Sequence, residues 1–410
     1  MREFLKVASL EHALACCERF SVVGTETVSL DHAPGRILAR DVACPADLPG
    51  FRRSTVDGFA VCAVSTFGAS EAAPALLDIV GSVRMGEAAA ACVGRGQAIR
   101  ILTGGMVPEG ADAIVMVEHT EALDGTSIEV SRAVAPGENV IAADEDAAAG
   151  QILLTVGRRI RPQEAGLLAA IGLVDVLVFR RPVVAILSTG DEIVPPGSPI
   201  GPGQVRDVNS TTLAALVEDA GGIAVRVGIV HDVLETLSSA CTDALAQADT
   251  LLISGGSSVG TRDLTLDVIE ALPDAELHFH GVAISPGKPT ILARSGRQAV
   301  WGLPGHVASA MVVFRVLVRP FLERLAGLAP GEGAAWRNVP ARLSRSVASA
   351  HGRTDFVRVR LEDHPDGVLA VPVLGRSGLL NTMVGAHGLV RIDREAEGLL
   401  AGATVSVLLF

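Results

Sequence analysis

The sequence predicts an α/β multidomain chain, built around a doubly wound parallel sheet with β-rich segments before and after it. Three observations carry this. Between Pro182 and Leu325, short apolar runs alternate with amphipathic helical stretches, the pattern of successive strand–helix units. From residue 46 to 146, and again from about Trp336, the apolar runs shorten and are punctuated by Gly and Pro, as in antiparallel β structure. At 410 residues the chain exceeds one ordinary core, and an apolar content of 49% supplies several.

Near the start, Ser9 suits the N-cap of a helix whose Leu10, Ala13, Leu14 and Cys17 share one face. Val28 to Arg40 reads as a strand, a Pro34-Gly35 turn and a second extended piece, and Pro45, Pro49 and Gly50 mark a boundary. Phe59 to Ala63, Ala98 to Leu102 and Ala113 to Val117 are expected strands of a small barrel or sandwich. Two polar loops interrupt them, one ending in Asp57-Gly58 and the other carrying Thr103-Gly104-Gly105; Asp57-Gly58 by itself also reads as a plain turn. Gln163 to Ala170 is helical, with Pro162 in the first turn where a missing N–H does no harm.

The sheet pattern then begins. Val183 to Leu187 is a buried strand ending in Ser188-Thr189-Gly190-Asp191-Glu192, and Asn209 is the expected cap of a helix striped by Leu213, Leu216, Val217 and Ala220. Gly221-Gly222 closes that helix. Val225 to Val230 is the next strand, Val233 to Gln247 the next helix, and Leu251 to Ile253 the third strand. That strand breaks into Ser254-Gly255-Gly256-Ser257-Ser258, whose N–H groups can cradle an anion at a strand's carboxyl end, where ligands gather in such sheets. Asp263 stands just ahead of a helical pattern. Pro286-Gly287-Lys288-Pro289 and Gly302-Leu303-Pro304-Gly305-His306 follow, then a long apolar helix towards Pro320 and Leu325 and a linker from Ala329 to Ala335. In the tail, Val357, Val359 and Leu361 share one strand face, and Arg358 and Arg360 are expected on a wet opposite face.

Loop residues of two kinds accumulate. Asp57, Asp191, Glu192, Asp207 and Asp263 could hold a hard divalent cation bridging phosphate oxygens. Lys288, Ser309, Arg353, Arg358 and Ser377 could clasp a small tetrahedral oxyanion. Plainer readings stand beside these: a strand-end carboxylate can cap the next helix, Lys288 can be a solvated turn residue, His306 can start a helix and Ser309 can bond back to its own. A net charge of −12 argues against nucleic-acid binding. Six cysteines without metal-ligand spacing are expected as buried thiols of a reducing compartment. No run reaches the ~18 unbroken apolar residues of a membrane span, and the start lacks a signal-peptide core, so a cytoplasmic chain with no membrane partner is expected.

Taken together, Ser54-Thr-Val-Asp57-Gly-Phe-Ala, Arg100-Ile-Leu-Thr-Gly, Pro108-Glu-Gly-Ala-Asp-Ala-Ile-Val-Met-Val-Glu118, Ser188-Thr-Gly-Asp-Glu, Ser254-Gly-Gly-x-Ser-Val-Gly, Pro286-Gly-Lys-Pro and Gly302-Leu-Pro-Gly resemble the MoeA family. These are the molybdopterin molybdenumtransferases, related to the gephyrin E domain. The match runs in order over nearly the whole chain. It implies binding of adenylylated molybdopterin and molybdate, Mg²⁺-supported cleavage of the phosphoanhydride, and release of AMP with finished molybdenum cofactor.

The implied architecture is an elongated N-terminal subdomain (residues 1–45 plus 147–179), a β insertion (46–146), a MogA-like α/β sheet domain binding molybdopterin (180–328) and a C-terminal β-barrel (336–410). A homodimer is implied, with molybdopterin adenylyltransferase and molybdoenzyme apo-proteins as further partners. Transferred position by position, the resemblance gives Asp57, Asp191, Glu192, Asp263 and Lys288 catalytic roles, with Asp57, Glu192 and Asp263 on the metal. Substrate contacts fall to Thr103, Ser188, Asp207, Gly255, Gly256, Ser258, Pro289, Ser309, Arg353 and Ser377. The chain departs from the family pattern at Ile141 to Asp146, where a basic stretch is common, and at Ser257, Leu264, Ser285 and His306-Val307. Two other readings stay open: molybdopterin adenylylation, and a dimeric molybdopterin-binding or scaffolding module without turnover.

Overall fold

The computed structural model describes residues 7–255, 264–333 and 338–410, so the expectations at Gly256, Ser257, Ser258, Asp263 and Trp336 lie outside the described residues. The chain divides into two compact units, one of Met1–Arg40, Val156–Ala165 and Val174–Phe410, the other of Asp41–Thr155 and Gly166–Leu173.

In the smaller unit, Gly58–Val61, Ala75–Ser82, Gln97–Ile101, Ala113–Met116, Thr120–Ala122 and Ser127–Val130 form one six-stranded sheet. Alternation sends Phe59, Val61, Ala98 and Val115 into one apolar cluster and Ala60, Ile99, Ile101 and Ile114 into another, so both faces are covered. The expected barrel is corrected to an open sheet, whose end strands Ala113–Met116 and Thr120–Ala122 do not pair with each other, accompanied in the same unit by two short pairs, Arg53–Ser54 with Val140–Ile141 and Val42–Ala43 with Ile152–Leu154.

In the larger unit, Ser9 caps the helix Leu10–Cys17 by accepting from the His12 N–H at 3.1 Å. The strand expected from Val28 is Thr25–Ser29, and Leu30–His32 coils into a single tight turn after it. The helix Pro162–Ala170, which the division splits after Ala165, carries Glu164 in its larger-unit part, buried and gripped by Arg158 at 2.8 Å and Arg161 at 2.5 Å. The Arg161 guanidinium first, then that of Arg158, holds the Glu164 carboxyl down at about 2 against the opposing effect of burial.

The sheet follows in β–α alternation: β1 (Val183–Thr189), α1 (Asn209–Asp219), β2 (Ile223–Val230), α2 (Leu234–Leu245), β3 (Thr250–Ser254), α3 (Leu264–Ala271), β4 (Ala275–His280), β5 (Ile291–Ser295) and β6 (Gln298–Leu303). The spatial order is β2-β1-β3-β6-β5-β4. Its first four strands are parallel, and β5 and β4 extend one edge antiparallel. Apolar clusters cover both faces, which is why β1 and β3 lack alternation. After β6, α4 (Val307–Val313) passes through one π-helical stretch at Phe314–Val318 and continues as Arg319–Leu325. Phe321 meets Trp301 and Phe20 edge-on at centroid distances of 5.5 and 5.4 Å, in the core cluster that also holds residues of the first helix.

The tail forms a closed five-stranded barrel: Asn338–Leu343, Thr354–His364, Gly367–Pro372, Gly388–Ile392 and Thr404–Leu409. Closure comes from Thr354–His364, which pairs with Gly367–Pro372 on one side and Gly388–Ile392 on the other. Arg358 corrects the expected wet face. It is buried because its guanidinium finds acceptors in the segment after Gly367–Pro372, the Gly375 carbonyl at 2.5 Å and the Thr382 hydroxyl, and burial lowers its pKa. The cysteine expectation is also corrected in part. All six are free thiols, but Cys92 is exposed and Cys62 half-buried; burial does push Cys17 and Cys241 up to about 12. Among the described residues no helix is long and apolar enough to cross a membrane.

Two measurements check this packing. Phe321→Ala removes a ring 1% exposed and is expected to lower stability by about 3–5 kcal/mol in urea unfolding. Glu164 has a native pKa below the ordinary 4.5, so its stabilisation is present above that value and is lost as pH falls from 4.5 towards about 2. Glu164→Gln should be less stable than the parent at pH 7 and show a flatter loss of stability across that acid range.

Candidate active site

Parallel pairing fixes where the strands of the sheet end. Ser188 of β1, Ser254 of β3 and Leu303 of β6 are register partners, so three chains leave the sheet at one level. Gly255, the first residue past β3, has φ +117°, and a Cβ there would lie 2.1 Å from the Thr189 carbonyl oxygen. Only glycine allows these strand ends to run so close.

Beyond β1 the chain makes a small parallel pair, Ile193–Val194 with Val205–Arg206. The Val205 N–H donates to the Glu192 carbonyl at 2.9 Å and the Asp207 N–H to the Val194 carbonyl at 2.8 Å, which carries Glu192, Arg206 and Asp207 to the same strand ends. Asn209 does not cap α1 as expected but is its first residue; the N-cap is Val208, and Asp207 just before it supplies the side-chain acceptor, its Oδ1 taking the Ser210 N–H at 3.0 Å. The carboxylate's negative charge suits the helix N-terminus. The Asn209 amide nitrogen instead donates to Ser254 Oγ at 2.7 Å and to the Gly305 carbonyl at 2.8 Å.

These pieces line an open cleft of about 670 Å³, whose walls include Ser188, Glu192, Arg206, Asp207, Asn209, Ser254, Gly255, Pro289, Gly305 and His306. Of the sequence-predicted site residues, Ser188, Glu192, Asp207, Gly255 and Pro289 are therefore brought together. Asp191 turns aside: its exposed carboxylate meets His231 Nδ1 at 3.2 Å and the Asp232 N–H at 3.3 Å. Asp57 and Thr103 lie in the smaller unit and meet each other, Asp57 Oδ1 accepting from both the Thr103 N–H and hydroxyl at 2.7 Å. That backbone bond, then the hydroxyl, lowers the Asp57 pKa, so the carboxylate is held ionised.

The residues assigned to an oxyanion stand at the join of sheet and barrel. The short strand Ile284–Ser285 pairs parallel with the start of Thr354–His364, so the Pro286-Gly287-Lys288-Pro289 loop springs from beside Arg353. Gly287 has φ +116°, and a Cβ there would be 2.4 Å from Val313 Cγ2 of α4, so the loop can lie on the helix only with glycine. The Lys288 side chain is exposed, and no carboxylate among the described residues lies within ion-pair distance of it. Arg353 is already matched to Asp355, Nε to Oδ1 at 2.8 Å. Ser309 is buried in the first turns of α4, and the Ser377 carbonyl accepts from the neighbouring Ala308 N–H at 3.1 Å.

The donor set for Mg²⁺ is partial. Among the described residues no three His, Cys, Asp or Glu groups converge on a point. The exposed Glu192 on the cleft wall is still a fitting hard ligand, because Mg²⁺ is usually held by one or two carboxylates together with substrate phosphates.

Comparison with known proteins decides the family. Residues 8–172 match "MoeA N-terminal region (domain I and II)", 185–324 "Probable molybdopterin binding domain" and 340–410 "MoeA C-terminal region (domain IV)". The chain is 34% identical over 390 residues to the molybdopterin molybdenumtransferase of Bacillus subtilis, covering 94% of this chain and 90% of that protein. The chain belongs to the MoeA family. It is also 34% identical to molybdopterin molybdenumtransferase 2 of Mycobacterium tuberculosis, covering 97% of this chain and 98% of that one. The MoeA structure from Pyrococcus horikoshii superposes with a TM-score of 0.86 at 30% identity, covering 99% of this chain and all of that one.

The cleft lies within the segment matching the molybdopterin-binding family, apart from Gly378 and Leu380 of the tail. Sequence reasoning missed Asn209 and Arg206. The signal was there, in an Asn two residues past a strand-end Asp, but helix-capping propensity claimed it.

Gly255→Ala should lower stability by ~1–3 kcal/mol or more, because it adds both a clash and a strained φ. Thermal melting checks this, and melting at the parent temperature would contradict the packing described.

Proposed function

We propose that this chain inserts molybdate into adenylylated molybdopterin with release of AMP, completing molybdenum cofactor. One observation carries the reading: a chain related over its whole length to molybdopterin molybdenumtransferases has a cleft of about 670 Å³ at the parallel strand ends of its molybdopterin-binding segment. Ligand sites at the carboxyl ends of parallel strands are the rule for open α/β sheets.

In this reading the pterin and phosphoanhydride lie along Ser188, Asn209, Ser254 and Gly255. Glu192 would hold Mg²⁺ together with substrate phosphate oxygens, and Asp57 and Asp263 keep the metal roles that the resemblance implies. Bound there, Mg²⁺ would neutralise the charge that develops on the cleaved anhydride. Lys288, with an ammonium unmatched by a described carboxylate, and Arg353 and the Ser309 and Ser377 hydroxyls would draw molybdate to the sheet–barrel join by charge-assisted hydrogen bonds. Molybdate is substrate here, not a resident ion. Holding the two reactants together lowers the entropic part of the barrier.

We further infer a cytoplasmic homodimer that receives adenylylated molybdopterin from an adenylyltransferase and passes the product to molybdoenzyme apo-proteins. The four-part domain division given by the resemblance belongs to this proposal as well.

The test is direct. Purified protein mixed with adenylylated molybdopterin, Mg²⁺ and molybdate should release AMP, and Asp263→Ala should abolish the release while melting like the parent. Lys288→Gln should raise the molybdate concentration needed for half-maximal rate by about tenfold or more, as expected for loss of a charged hydrogen bond. Full AMP release by Asp263→Ala, or none by the parent, would refute the assignment.

A further inference from the structure

We propose that Asn209 is a specificity-determining residue of the cleft, its amide oxygen accepting a hydrogen bond from an exocyclic amino group on the substrate's heterocycle. The inference rests on the reading of the cleft as the molybdopterin transfer site and adds to it a residue, an atom and a ligand group.

The argument begins with the two protons of the Asn209 amide. One is donated to Ser254 Oγ at 2.7 Å, the other to the Gly305 carbonyl at 2.8 Å. A carbonyl can only accept, so the nitrogen must face Gly305 and the oxygen must face away; the amide cannot be flipped without losing that bond. Among the described residues Oδ1 then has no hydrogen-bond partner, in a residue that is 9% exposed and belongs to the cleft wall.

Oγ of Ser188, a residue of the same wall that is 2% exposed, likewise has no partner among the described residues. Buried polar atoms are nearly always satisfied, so two orphans on one cleft wall call for a ligand. Their chemistry says which kind. Asn209 Oδ1 can only accept, whereas the Ser188 hydroxyl can donate. An aminated heterocycle offers both complements side by side, an amino N–H next to a ring nitrogen lone pair. An ionised phosphate has no donor to offer, and a ribose hydroxyl, which both donates and accepts, would leave the AMP pair below undiscriminated. The adenylylated substrate carries this edge twice, on the pterin and on the adenine.

The same residue also clamps strand ends, because its two donated bonds tie α1 to β3 and to the loop after β6. A test must separate reading the ligand from holding the wall. Calorimetry with two ligand pairs does so: AMP against purine riboside 5′-monophosphate, and pterin against its 2-deamino derivative, the second member of each pair lacking only the amino group.

The parent protein should favour the amino-bearing member of one pair by about tenfold, and the pair affected tells which ring reaches Asn209. Asn209→Ala should lose that preference, whatever the loss of its two clamp bonds does to overall binding. Asn209→Asp, which keeps the side-chain shape and an acceptor oxygen but surrenders both amide donors, should keep the preference even where overall binding weakens. Ser254→Ala, which removes one clamp bond and leaves Oδ1 in place, should keep it too.

A preference that survives in Asn209→Ala, or one lost equally in Asn209→Asp and Ser254→Ala, overturns the proposal and makes Asn209 a clamp only. A parent that binds both members of each pair equally also overturns it, and leaves the transferase reading standing. A parent that binds none of the four ligands overturns the reading of the cleft itself.

Discussion

The register of three parallel strands is the constraint from which the rest of the site follows. Because Ser188, Ser254 and Leu303 are hydrogen-bonded neighbours in one ladder, the loops behind them must leave the sheet together, and small residues are needed where they crowd. Gly255 answers the tightest approach, against the Thr189 carbonyl. Asn209 answers the next, bonding the end of β3 to the loop after β6 from the head of a helix. The cleft is therefore a by-product of sheet geometry that polar side chains have been set to line. Its rigidity comes from the buried β1 and β3, not from the loops.

A second coupling joins the sheet to the barrel. The pairing of Ile284–Ser285 with the first residues of Thr354–His364 adds a sixth strand to the barrel's sheet from outside it. Deeper in, Arg315 donates to the Leu409 carbonyl of the last barrel strand, and Arg319 bridges Asp219 at the end of α1 and Glu323 in its own helix. Arg319 is thereby paired and hydrogen-bonded, as a charge so buried requires. The join thus carries Lys288 on one side and Arg353 on the other without relying on a flexible linker. Arg353, however, already has a carboxylate partner in Asp355 and would have to share it with any anion, whereas Lys288 has none among the described residues.

Much of this was legible in the sequence, for physical reasons that can be named. Unbroken apolar runs such as Leu251-Leu252-Ile253 announce a strand covered on both faces, and Ser-Gly-Gly after them announces a loop that must approach something closely. Pro286-Gly287-Lys288-Pro289 was legible as a special turn, and Gly287 against Val313 explains why. What stayed hidden were long-range choices. Asn209 has a strong local preference for capping, yet Asp207 accepts from the helix's first turn instead and leaves the amide to bond residues 45 and 96 positions away. Arg358 alternates correctly for a wet strand face but is buried by a segment that folds over it. The antiparallel edge of the sheet was likewise invisible, since strand direction depends on connections and not on composition. Asp191 and Glu192 are adjacent in sequence, but only Glu192 reaches the cleft wall.

The central claim is that substrate lies against these strand ends. Hydrogen–deuterium exchange with and without adenylylated molybdopterin tests it most directly. Slowed exchange at the amides of Ser188 to Glu192, Val205 to Asn209 and Gly305 to Val307 is the predicted result. Protection absent there, and found instead around Arg342, Ser344 and His364 at the small pocket on the barrel, would contradict it.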